Sequence, residues 1–62
     1  RNVRRVLLGL VYNRTLKGGE PVGVAEAHAF VSGKLPDQTV SRQEVASILG
    51  HLAAELDADV TV

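Results

Sequence analysis

Val40-Ser41-Arg42-Gln43-Glu44-Val45-Ala46-Ser47-Ile48-Leu49-Gly50-His51-Leu52 is the stretch that decides the fold. Its opening residues spell a capping box. The Ser41 hydroxyl can accept from the backbone N–H of Glu44, and the Glu44 carboxylate can reach back to the Ser41 N–H. Val40 before the cap and Val45 after it supply a hydrophobic staple that fixes the entry angle. Behind the cap, Val45, Ile48, Leu49, Leu52 and Leu56 recur at helical spacing and make one apolar face. This spacing predicts a helix over 42–56. Asp57-Ala58-Asp59 then breaks the pattern, and Val60-Thr61-Val62 has the β-branched character of one short strand.

Upstream of Val40 the chain reads as two more helices. Val24, Ala27, Val31 and Leu35 form an apolar stripe with Phe30 beside it, which predicts a helix over 24–34. Leu35-Pro36-Asp37 ends it, because the residue before a proline is pushed out of the helical region. Thr39-Val40 is expected to be extended. Glu20-Pro21-Val22-Gly23 reads as a short connection. Before it, Val3, Val6, Leu7 and Leu10 fall at i, i+3, i+4 and i+7, and a first helix is expected over 3–16 with these four facing the core. Gly9 costs that helix about 1 kcal/mol relative to Ala. Lys17-Gly18-Gly19 stops it with a basic last turn followed by glycines that accept left-handed dihedrals.

Sixty-two residues allow a single small helical domain, over residues 1–62. A domain of this size buries only about 60% of its unfolded surface, so its stability is marginal. There is no Cys, so neither a disulfide framework nor a thiolate metal site can reinforce it. The hydrophobic fraction of 45% is ordinary for a globular domain and argues against disorder. No apolar run approaches the ~20 residues needed to cross a membrane, and no signal peptide is visible. A cytoplasmic protein is expected. The chain starts at Arg1 and contains no Met, so it is read as a fragment of a longer protein.

From Pro21 onward the segment resembles a winged helix-turn-helix. The resemblance is carried by Val24–Leu35, by Val40-Ser41-Arg42-Gln43-Glu44-Val45, by Leu49 and Leu52, and by Val60-Thr61-Val62 where a wing strand would begin. It covers about residues 21–62. The motif is one of low specificity, since any capped amphipathic helix before a strand looks similar. It implies a DNA-binding transcriptional regulator. The second strand of a full wing and the usual basic residues of a recognition helix are missing. Two arrangements stay open for this mainly α chain: a winged-helix-like one and a simple three-helix bundle.

The formal net charge is zero but unevenly spread. Residues 1–17 hold Arg1, Arg4, Arg5, Arg14 and Lys17 and no acid, a formal +5. Residues 18–62 hold Lys34 and Arg42 against Glu20, Glu26, Asp37, Glu44, Glu55, Asp57 and Asp59, a formal −5. Such asymmetry speaks about partners rather than fold. On the first helix, Arg1, Arg4, Arg5, Leu8 and Tyr12 cluster opposite the expected core side, and Arg and Tyr are enriched at binding hot spots. A protein partner or a second copy, as in a homodimer, is therefore expected there. On the third helix Ala46, Gly50 and Ala54 stand four apart, a spacing that lets two helix backbones approach. If DNA is bound, Arg4, Arg5, Arg42, Gln43, Ser47 and His51 are the residues expected to reach it. Glu44, Glu55, Asp57 and Asp59 would then lie near phosphates, which opposes binding.

No catalytic constellation is legible. His28 lies near the apolar side of the second helix and is expected to be a partly buried, hydrogen-bonded residue. His51 with Asp57 or Asp59 does not make up a tetrahedral metal site. Ser32, Ser41 and Ser47 have no evident base and acid relay, and Lys17-Gly18-Gly19 lacks the spacing of a phosphate loop. No enzyme activity, cofactor, metal or small-molecule substrate is expected. The expected function is a non-enzymatic binding module, working through protein interaction or oligomerisation on the basic face of the first helix, with DNA binding as the alternative.

Overall fold

The computed structural model describes residues 2–56 and 60–61. The elements are α1 (Val3–Lys17), β1 (Val22–Gly23), α2 (Val24–Lys34), α3 (Arg42–Leu56) and β2 (Val60–Thr61). The three-helix core and the short C-terminal strand expected from the sequence are present. The spans of α2 and α3 match the expected ones, and α1 runs one residue further, to Lys17. Arg1, Val62 and the Asp57-Ala58-Asp59 break lie outside the described residues.

Local chemistry explains the helix ends. The Glu44 N–H donates to the Ser41 hydroxyl at 3.1 Å, the first half of the capping box. Val40 and Val45 are both buried, as a staple requires. Arg14 and Lys17 lie in the last turn of α1, where their charge complements the helix dipole. Gly18 follows at φ 78° and donates its N–H to the Arg14 carbonyl at 2.9 Å, and Gly19 continues at φ 113°. Both are in the left-handed region, which a Cβ disfavours. At the end of α2 the Leu35 N–H still reaches the Val31 carbonyl at 2.8 Å, but its ψ of 65° leaves the helix, as Pro36 demands.

The core is aliphatic throughout. Val3, Leu7 and Val11 of α1 meet Ala27 and Val31 of α2 and Val45, Leu49 and Leu52 of α3, with Val22 and Val40 closing the cluster. This corrects the expected inner face of α1. Val11, not Leu10, continues the line from Val3 through Leu7, while Val6 and Leu10 are only half-buried at its margin. The physical reason is the width of the apolar arc. Val3, Val6, Leu7, Leu8, Leu10 and Val11 cover most of the helix circumference, so periodicity finds the arc but not its centre.

A second correction concerns residues 20–23, expected to be a plain connection. Val22 and Gly23 form β1 and pair in parallel with β2, Val22 against Val60 and Gly23 against Thr61. Val22 is fully buried. Thr39 and Val40, expected to be extended, belong to no strand. His28 behaves as expected: it is half-buried, and its Nε2 lies 2.7 Å from the Val40 carbonyl. A carbonyl oxygen only accepts, so Nε2 carries the proton and ties α2 to the segment that leads into α3.

Candidate protein-docking site

With Val3, Leu7 and Val11 turned inward, the next sector of α1 overhangs α2. Arg5, Val6, Gly9, Leu10, Asn13 and Lys17 line one wall of an open groove of about 450 Å³, and Phe30 and Lys34 of α2 line the other. Arg14 closes the same wall. The floor is apolar: Val6 and Leu10 are half-buried, and Phe30 keeps 36% of its surface exposed. Gly9 leaves a gap in the wall, since a methyl group there would meet nothing within 4 Å. The Lys34 ammonium sits 5.4 Å from the centroid of the Phe30 ring, within cation–π range, so the lip of the groove is charged and its side is aromatic.

The cations around the groove have different tasks. Arg14 pairs with the Glu26 carboxylate, and its Nη1 donates to the Glu20 carbonyl at 2.8 Å. It is a structural strut from the end of α1 to the start of α2. On the other flank, Arg4 pairs with Glu55 of α3. Arg5, Lys17 and Lys34 take part in neither pair, and all three are exposed. No carboxylate lines the groove among the described residues.

The face anticipated from sequence is therefore divided. Arg1 lies outside the described residues. Arg4 is engaged by Glu55. Leu8, one turn further along that flank, is half-buried and packs against the core, so it is not the exposed contact residue that was expected. Arg5 opens onto the groove, and Tyr12 remains 54% exposed. Two exposed apolar residues were missed. Leu16 is 67% exposed, and Phe30 forms the groove wall. The spacing of Arg5, Tyr12 and Leu16 along α1 was the available signal, because i, i+7 and i+11 fall on one side of a helix.

The alternative, nucleic-acid set is split between two helices: Arg4 and Arg5 stand on α1, and its other four members on α3. Arg42, Gln43, Ser47 and His51 are all exposed there, as are Gly50 and Ala54, while Ala46 is half-buried. Among the described residues, no three of His, Cys, Asp or Glu gather in a way that could hold a metal ion, and no helix is long and apolar enough to cross a membrane.

Compared with family models, with curated proteins and with solved structures, the chain matches none.

Proposed function

We propose that this chain is a non-enzymatic binding module that engages a protein, either a different partner or a second copy of itself, through the basic side of α1. The observation that carries this reading is the groove that gathers Arg5, Lys17 and Lys34 around Val6, Leu10 and the exposed Phe30, on a helix that also exposes Tyr12 and Leu16 outside the groove. Apolar area supplies affinity in protein association, and the surrounding charges supply orientation and on-rate.

Sedimentation equilibrium over a wide concentration range tests the self-association form. The expected result is a mass above the monomer that falls to the monomer in Tyr12→Asp. Leu8→Asp is a poor probe, because Leu8 supports the core.

A second reading is a DNA-binding regulator of the winged-helix type. It is favoured by the run of exposed Arg42, Gln43, Ser47 and His51 on α3. Arg42 is the only fixed positive charge in that run, and Glu55 on the same helix is tied to Arg4, one of the arginines expected to reach phosphate. The test is titration with a DNA duplex at several salt concentrations. Binding that falls steeply with salt and weakens in Arg42→Ala, together with a strictly monomeric chain, overturns the protein-binding reading in favour of this one.

A further inference from the structure

We infer that the groove between α1 and α2 receives an acidic amphipathic helix of a protein partner, an inference that rests on the protein-binding reading above. Three features of the groove specify this occupant. The first is its length. The lining runs along α1 from Arg5 to Lys17, about 18 Å at 1.5 Å per residue, which matches about three turns of a partner helix.

The second is the floor. Val6 and Leu10 lie along its length and Phe30 flanks it. Such a strip accepts side chains spaced i, i+3 or i+4 and i+7, the pattern of a helix laid in a groove. Gly9 lets the partner approach closely at mid-length, because no side chain stands there.

The third is charge. Arg5 stands near one end, Lys17 at the other and Lys34 on the opposite lip, and no carboxylate lines the groove among the described residues. Arg14 is already neutralised by Glu26. The complementary ligand is thus an apolar stripe edged by carboxylates. A nucleic acid matches less well, because its phosphates would satisfy the cations and leave the apolar floor unfilled.

The chain contains no Trp, which gives a clean readout. The probe is a synthetic peptide of about 12 residues with Leu and one Trp at helical spacing and Glu on the flanks. Its Trp fluorescence is followed as the intact chain is added. The expected result is a saturable blue shift. The dissociation constant should rise about tenfold in Phe30→Ala, and about fivefold or more in Lys34→Glu. Ser32→Ala, on the far side of α2 from Phe30, should leave it unchanged. Circular dichroism confirms that each variant is folded, since Phe30, Lys34 and Ser32 are all surface residues.

Absence of a blue shift overturns the inference. So does equal binding of a peptide with Lys in place of Glu. If binding is lost in Tyr12→Ala while Phe30→Ala and Lys34→Glu bind normally, the groove is overturned and the protein-binding reading stands. If the peptide fails, a DNA duplex binds with steep salt dependence that weakens in Arg42→Ala, and the chain is strictly monomeric, both fall together.

Discussion

Arg14 joins the end of α1 to the beginning of α2 by pairing with the Glu26 carboxylate, and the same guanidinium donates to the Glu20 carbonyl at 2.8 Å. The strut spans the glycine turn between the helices and holds the angle at which the groove opens. Its two side chains are 28% and 47% exposed. Solvent screening therefore limits the ion pair to about 0.5–1 kcal/mol, and the bond to the carbonyl adds about 1 kcal/mol. Arg14→Ala is expected to lower the thermal midpoint by about 10–15 °C. Glu26→Gln should cost less, because the Glu20 bond survives. Repeating the melts near 1 M salt should shrink the Glu26→Gln effect more than the Arg14→Ala effect.

Gly18 is a second point of control over the same turn. At φ 78° it occupies the left-handed region while its N–H bonds the Arg14 carbonyl. Nothing lies within 4 Å of where a Cβ would stand, so Gly18→Ala tests backbone conformation without a steric clash. Urea denaturation should show a loss of about 1–2 kcal/mol. Gly18→Asn should lose about as much, since a ψ of −177° puts this residue outside the αL well that Asn tolerates.

The N-terminal cap of α3 offers an independent measurement. Removing the hydroxyl that accepts from Glu44 in Ser41→Ala should cost about 1 kcal/mol, and Ser41→Asp should retain most of the stability. The cap lies away from the groove, so peptide binding by folded Ser41→Ala should match that of the parent chain.

Leu49 is fully buried at the meeting point of the helices. Leu49→Ala should lose about 2–5 kcal/mol. In a domain this small that loss approaches the whole stability, and thermal unfolding followed by circular dichroism should lose its cooperative transition.

What the sequence revealed followed from how local each signal was. The capping box and the leucines behind it define α3 within one short segment, and its observed limits match. Pro36 and the paired glycines mark the ends of α2 and α1 in the same local way. The inner line of α1 was misread because six apolar residues share one wide arc, and only the positions of α2 and α3 select Val11 over Leu10. Leu8 looked like an exposed contact residue for the same reason. β1 left no periodic trace, since two residues cannot show one, and its pairing partner is distant in the chain. The groove is likewise a product of packing. Phe30 and Lys34 become neighbours of Arg5 and Leu10 only once α2 lies against α1.

The pairing of Val22 with Val60 also sets an order of events. The three helices can form from neighbouring residues, but this pair closes a loop that contains both α2 and α3, and the entropy of that closure must be met before any hydrogen bond repays it. Until Val60 arrives, one edge of Val22 has no strand to bond, however well the helices have assembled. The parallel pair is thus the long-range closure of the fold, and hydrogen exchange during refolding should show the Val22–Val60 pairing protected after the amides of α3.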